Sequence, residues 1–400
     1  MTPEEILRTL KEAVALHQRG ELAAAQAAYE RVLAAQPEQG DASHFLGVLM
    51  HQRGRNDEAL LLIRRAAELL PGHAVIQNNL GNVLQDLGDM RGAVVAYRAA
   101  VAADSNNAMA HYNLGIALEQ HLQLDAAIDA YRSAVMLNPR DVDAQKNLAH
   151  ALRRVGRQTE ASVALGAWLD LEPNNPVAEH LLAACTGSKV PERASDAYVA
   201  ETFNAVADNF DQLLAGLGYK APELVGAALA AELGVGVGDR VVLDAGCGTG
   251  LAAPHLRPYA RRLDGVDLSA GMITRAKERG LYDRLEIGEL SAYLGQVPSR
   301  YDLIASIDTL VYFGRLDTVL NAAASSLRFG GLLIFTLEVL TDDQSKGFEL
   351  AGSGRYRHGA DYLHETLSGA GLAIRRLERT ALRNENGLPV SGFVVSAAKV

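Results

Sequence analysis

Apolar residues recur at helical spacing through the first 185 positions, and the pattern repeats with a period of 34. Pro37, Pro71, Pro139 and Pro173 share one register, with Ser105 in the open slot. Gly20, Gly54, Gly88 and Gly156 share a second, Leu122 standing where a fifth glycine would be. Gly47, Gly81 and Gly115 form a third, continued by Ala149, and Ala25, Ala59, Ala93, Ala127 and Ala161 a fourth. Tyr29, Ile63, Tyr97, Tyr131 and Leu165 form a fifth. Small residues let two helices approach closely, large ones fill the gap to the next pair, and proline ends a helix it cannot continue. The pattern predicts five helical hairpins over about residues 6–175, with PVAEHLLAAC as a capping helix and Trp168 in the interior.

The rhythm changes after Cys185. CTGSKVPERASDA mixes Gly, Ser, Pro and charge without periodicity and reads as a linker, residues 185–197. YVAETFNAVADNFDQLLAGLGY and APELVGAALAAEL read as helices. From Arg240 the short apolar runs VVLDA, LDGVDL, DLIASI and LLIFTLE alternate with helical stretches, the pattern of βαβ units in a parallel sheet. AIRRLERTAL and GFVVSAAKV are joined by RNENGLPV, too short for a crossover helix, so this last pair should be an antiparallel hairpin. The expected organisation is an α-helical solenoid over 1–184, the linker, and a doubly wound α/β domain over 198–400.

Composition adds limits. At 400 residues the chain is too long for one ordinary core. A formal charge of −10 without a run of Lys and Arg argues against nucleic acid as the main partner. Cys185 and Cys247 supply neither a disulfide framework nor a zinc spacing, and the scattered histidines give no metal motif. The acidic start MTPEEILRTL has no signal-like apolar core, and no apolar window reaches membrane length. A cytoplasmic protein is expected.

The most informative stretch is VVLDAGCGTG, a buried strand closing on Asp244 and turning through Gly246, Gly248 and Gly250 into a helix. Glycines are needed where backbone turns tightly and approaches a ligand. The spacing is G-x-G-x-G, and the pyrophosphate-type G-x-G-x-x-G is absent.

Two resemblances follow. NNLGNVLQDLGDMRGAVVAYRAAVAADSNN resembles the tetratricopeptide repeat, also 34 residues long. VVLDAGCGTG resembles the first motif of class I methyltransferases, which implies S-adenosyl-L-methionine as cofactor. The resemblance places its amino-acid part on the Gly246–Gly250 loop, with Cys247 as a small packing residue within the turn. It gives Asp267, ending the next strand, the two ribose hydroxyls, with Leu268 and Met272 alongside. Glu289 and Leu290 would border the adenine, and Asp308 would face the cofactor from the fourth strand's end. SSLRFGGLLIFTLE matches the helix, Gly330-Gly331 turn and fifth strand. Phe203 and Phe210, seven apart on one helical face, suit a lid over the site.

GSGRYRHGADYL falls where the family's substrate-binding insert lies, expected as a glycine-flanked loop. Arg355 would orient an anionic group there and His358 would take a proton, with Tyr312 a further pocket candidate. Asn79, Asn113 and Asn147 form a sixth register, expected as a ladder of amides along a concave groove that holds peptide backbone. The alternative for these amides is bracing between hairpins. The chain is thus expected to be a methyltransferase whose repeats recruit a protein or peptide acceptor. A small carboxylate-bearing acceptor, and a non-catalytic adaptor with an idle sheet domain, stay open.

Overall fold

A computed structural model describes residues 1–340, 347–385 and 387–400. It divides into two compact units, Met1–Leu171 and Glu172–Val400.

The first unit is ten helices: α1 (Pro3–Gln18), α2 (Leu22–Ala35), α3 (Gly40–Gln52), α4 (Asn56–Leu69), α5 (Ala74–Asp86), α6 (Met90–Ala103), α7 (Ala108–Gln120), α8 (Leu124–Leu137), α9 (Val142–Arg154) and α10 (Gln158–Leu171). The registers have direct physical causes. A Cβ on Gly47, Gly81 or Gly115 would lie 2.5 Å from Ile63, Tyr97 or Tyr131, so the glycine of each first helix is the seat for the large residue of the second. Tyr29, Ile63, Tyr97, Tyr131, Leu165 and Trp168 are all buried. The hairpin turns need left-handed backbone, with φ +77° at Gly20 and +81° at Gly88; Leu122, the non-glycine member of the register, adopts +59° and is exposed.

The second unit opens with α11 (Pro176–Thr186), the helix expected to cap the repeats. Helices α12 (Asp196–Val206), α13 (Phe210–Gly216) and α14 (Ala221–Leu233) lead to the sheet. There follow β1 (Arg240–Ala245), α15 (Ala253–Leu256), β2 (Ala260–Asp267), α16 (Ala270–Glu278), β3 (Arg284–Ile287), α17 (Leu290–Gly295) and β4 (Tyr301–Ser306). The chain continues through α18 (Asp317–Ser326), β5 (Leu327–Val339), β6 (Phe348–Leu350), β7 (Tyr356–His358), α19 (Ala360–Gly369), β8 (Leu372–Glu385) and β9 (Leu388–Lys399).

Strands β3, β2, β1, β4 and β5 pair in that order and all run parallel. β9 pairs antiparallel with both β5 and β8, as expected for a terminal hairpin. The strands are buried on both faces: Val242 and Leu303 enter one apolar cluster, while Leu243 and Ile304 enter another on the opposite side. Gly330 and Gly331 lie within β5, where the register with β4 shifts by a bulge, instead of in a turn before it. The hairpin is longer than expected: most of RNENGLPV is strand, so Arg383 and Glu385 stand on β8 and not in a connecting loop. Among the described residues, no helix is long and apolar enough to cross a membrane.

Candidate active site

The strand order reverses between β1 and β4, so their carboxyl ends splay apart and leave a crevice. A cavity of about 340 Å³ lies there. Asp244, Gly246, Cys247, Gly248, Asp267, Leu268, Met272, Glu289, Leu290, Asp308 and Phe210 all line it, as do Tyr312 and Arg355. Gly250 and His358 are not on its wall.

Each glycine of the loop has its own reason. A Cβ on Gly246 (φ +79°) would fall 2.1 Å from Thr309 Oγ1, so strand β4's exit packs against bare backbone. One on Gly250 (φ +87°) would press on Arg279 and Tyr282, which makes its role packing behind the cavity. Gly248 (φ +53°) would meet nothing within 4 Å: its missing side chain leaves open space on the ligand side.

Asp267 is held by two backbone donors, Gly248 N–H to Oδ2 at 2.9 Å and Ser269 N–H to Oδ1 at 2.8 Å. The carboxylate is therefore fixed in orientation with lone pairs to spare. Burial raises its pKa, opposed by these hydrogen bonds. Asp244 is pushed up to about 7 by burial, while the Tyr282 hydroxyl, donating at 2.6 Å, pulls the other way. Glu289 caps α17 through the N–H groups of Ser291 and Ala292, and Met272, Leu268 and Leu290 supply apolar surface nearby.

The stretch expected to form a lid is not one helix. The chain breaks between α12 and α13 at Ala207–Asn209, where Asp208 and Asn209 favour a turn, so Phe203 and Phe210 come from separate helices. Their rings still meet edge to face at 5.8 Å, and both line the cavity. Polar bonds tie the pair to the loop. The Thr249 hydroxyl donates to Asp211 at 2.5 Å, Arg279 pairs with the same carboxylate, and Asn204 Oδ1 accepts from Ser269 Oγ at 2.7 Å and Gly271 N–H at 3.0 Å.

Opposite the glycine loop stands a charge network the sequence reading missed. Asp308 adopts left-handed backbone, φ +52°, a strained choice for a non-glycine residue. It accepts from the Thr336 hydroxyl at 2.7 Å and from Arg383 Nη1 at 2.9 Å. Arg383 also donates to Glu338 and, through Nε at 2.8 Å, to Glu385. Arg355 Nε donates to Glu338 at 2.5 Å and its Nη2 to Glu385. Burial pushes the Glu338 pKa up, but the two guanidiniums outweigh it and hold it below the ordinary value. For Asp308 burial wins over Arg383, and the carboxyl is raised. Arg383 lay in a segment read as a loop, so its inward direction had no sequence signal.

His358 is a correction. Arg355–His358 is largely strand β7, not a loop, and alternation along it decides which side chains are buried. Tyr356 and His358 share a fully buried face, while Arg357 points to Glu338 and Glu349. The His358 ring stacks on Tyr362, its Nε2–H donates to Gly314 O at 3.0 Å, and burial lowers its pKa to about 4. With Nε2 committed to a backbone carbonyl and the ring off the cavity wall, His358 is a core residue and is not placed to take a proton from an acceptor in the cavity.

The asparagine register is also redirected. Asn113 Nδ2 donates to Asn78 Oδ1 at 3.0 Å and Asn147 Nδ2 to the Tyr112 hydroxyl at 3.2 Å, while Asn79 Nδ2 meets His44 Nε2 at 2.9 Å. Each amide thus spends one donor on the preceding hairpin, as the bracing alternative expects, and keeps a second N–H and its carbonyl oxygen.

Comparison with known proteins agrees with this division. Residues 242–331 match the family profile of the methyltransferase domain, and residues 10–74 and 78–136 match that of the tetratricopeptide repeat. An uncharacterized Synechococcus protein is 34% identical over 36% of this chain and 39% of its own length. Human methyltransferase-like protein 27 is 42% identical over 23% of this chain and 36% of its length. A malonyl-[acyl-carrier protein] O-methyltransferase of Acetivibrio thermocellus is 32% identical over 24% of this chain and 34% of its length. The chain therefore spans less than two fifths of the length of these relatives. With the period of 34 in the first unit and the parallel sheet and glycine loop in the second, the chain carries an array of tetratricopeptide repeats followed by a methyltransferase domain of Rossmann-like fold.

Proposed function

We propose that the protein is an S-adenosyl-L-methionine-dependent methyltransferase whose repeats recruit a protein or peptide acceptor. The observation that carries the cofactor is the convergence of the open Gly248 backbone, the pinned Asp267 carboxylate and the apolar Leu268, Met272 and Leu290 on one cavity. These residues suit it: a carboxylate for the ribose hydroxyls, bare backbone for the amino-acid part, and apolar walls beside Glu289 for the adenine. The bound cofactor supplies an electrophilic methyl on a neutral leaving group. Transfer to a nucleophile by in-line displacement then demands mainly alignment and exclusion of water.

The chain's own residues are arranged for those two tasks. Phe203 and Phe210 close the cavity against water, and Phe203 abuts Tyr312 at 5.4 Å. Arg355 and Tyr312 occupy the wall where an acceptor would lie, and Asp308, set by Thr336 and Arg383, stands between the two ends. His358 lies off the cavity wall, so the acceptor has to reach the methyl group already deprotonated. Recruitment by the repeats can still use the second N–H and the carbonyl oxygen of Asn79, Asn113 and Asn147, each of which stays partly exposed.

A second reading is a small acceptor bearing a carboxylate, which relatives named as malonyl-[acyl-carrier protein] O-methyltransferases suggest. Here the geometry is less welcoming. Arg355 is already paired with Glu338 and Glu385, and with Arg357 and Glu349 included the network holds four carboxylates against three guanidiniums. An anionic acceptor has to displace Glu385. Incubation with methyl-labelled cofactor and cell lysate separates the readings: label that stays on protein after neutral hydroxylamine has cleaved thioesters supports recruitment, and label confined to small molecules or released by that treatment overturns it in favour of the second.

A further inference from the structure

We infer that His180, on the helix that follows the repeats, is a positioning residue for the acceptor side of the methyl-transfer cavity. The inference rests on the proposed placement of the acceptor beside Arg355 and Tyr312. Helix α11 is built into the second unit: Ala183 and Ala184 pack with Leu350 and Tyr356, and His180 is only 5% exposed.

His180 Nε2 lies 2.9 Å from Gly354 O, a carbonyl that can only accept, so Nε2 carries the proton. Gly354 closes a tight turn in which its own N–H reaches Ala351 O at 2.8 Å and Ala351 N–H reaches Arg355 O at 2.9 Å. Its φ of +87° is a conformation other residues rarely adopt. The Gly354 carbonyl belongs to the peptide plane that ends at the Arg355 nitrogen. Holding that oxygen fixes the plane from which the Arg355 side chain departs toward Glu338 and Glu385.

The same ring sets the second wall residue. His180 stacks on Tyr198 with centroids 3.9 Å apart, Tyr198 leans on Tyr312 at 6.5 Å, and the Tyr312 backbone carbonyl accepts from Ala194 N–H at 2.8 Å. Arg193 bridges Phe313, and Glu192 O accepts from Gly314 and Arg315 N–H, so the stretch read from sequence as linker is stitched along the Tyr312 loop. One imidazole thus references both Arg355 and Tyr312. Packing alone would be satisfied by an apolar residue without a buried N–H to match.

The test uses the full chain in two forms. His180→Phe keeps a ring against Tyr198 and removes the donor; His180→Gln keeps a donor with comparable reach and removes the ring. S-adenosyl-L-methionine affinity by calorimetry reports the intact fold, and is expected to stay within about twofold in both. In His180→Phe, amide exchange at Gly354–Tyr356 should accelerate about tenfold, and transfer of label from cofactor to lysate acceptor should fall about tenfold, the equivalent of one buried hydrogen bond. His180→Gln should recover most of both. Wild-type exchange and transfer in His180→Phe, or equal losses in the two variants, would overturn the assignment. If wild type binds cofactor yet labels nothing, the functional reading fails, while the exchange rates still decide whether His180 holds the Arg355 turn.

Discussion

Replacing Arg383 by methionine tests whether the charge network is what holds the cavity's far wall. The guanidinium is 4% exposed and contacts three carboxylates, Asp308, Glu338 and Glu385, whose side chains are 18%, 2% and 29% exposed. Methionine fills similar space, so the loss is chiefly electrostatic. Glu338 keeps Arg355 at 2.5 Å, whereas the Asp308 carboxylate keeps only the Thr336 hydroxyl and the charge of Arg355. Removing one member of a buried ionic network costs about 3–5 kcal/mol, because a charge is left in a place that cannot solvate it. For a unit of this size that is a fall in Tm of about 6–20 °C in the second unit's transition. The sign with pH follows from Asp308. Its folded pKa, already raised by burial, rises further without Arg383, so the folded state takes up a proton that the unfolded state releases. The deficit must therefore shrink as the pH falls toward the ordinary carboxylate range and grow as it rises. Adding Asp308→Asn should recover part of the loss at neutral pH. Calorimetric melts of the three proteins across pH measure this directly. A cost below about 1 kcal/mol, equal in acid and at neutrality, would mean that Arg383 does not hold the far wall through its charge.

Three further outcomes are expected. Gly246→Ala should destabilise the fold by about 2–5 kcal/mol, since its Cβ meets Thr309 in a left-handed backbone, whereas Gly248→Ala should cost only about 1–2 kcal/mol yet weaken cofactor binding; melts and titrations of the pair separate the two effects. Alanine at Asn79, Asn113 and Asn147 together should lower the stability of the first unit by about 1.5–4.5 kcal/mol in denaturant titrations followed by helical circular dichroism, because three braces are lost. Asp244, with its pKa near 7 through burial, should make affinity for the cationic cofactor rise as the pH climbs through that value, and Asp244→Asn should flatten the profile; the same shift means the ligand-free fold loses stability over that climb.

What could be read from sequence follows the physics of each feature. The repeats were legible because a period imposes the same contact many times, and each glycine facing a tyrosine is needed again one hairpin later. The glycine loop and Asp267 were legible because strand, turn and helix are contiguous in sequence. Arg383 was not, since its partners Asp308 and Glu338 come from two other strand ends and meet it only once β8 and β9 extend as a hairpin. His358 misled for a related reason: a three-residue strand, too short to announce itself, turned the side chain to the core while its neighbour Arg355 reached the cavity. The asparagines showed a true register whose meaning depended on a partner 35 positions earlier.

We propose that the cavity at the ends of β1, β2 and β4 binds S-adenosyl-L-methionine through Asp267. Isothermal titration of the cofactor into wild type and Asp267→Ala tests it most directly. Saturable one-site binding is expected for wild type, and a loss of about 2–4 kcal/mol in a variant that melts normally, the value of two charge-assisted hydrogen bonds to the ribose. No saturable heat with wild type, or a variant whose affinity stays within about threefold, would contradict it.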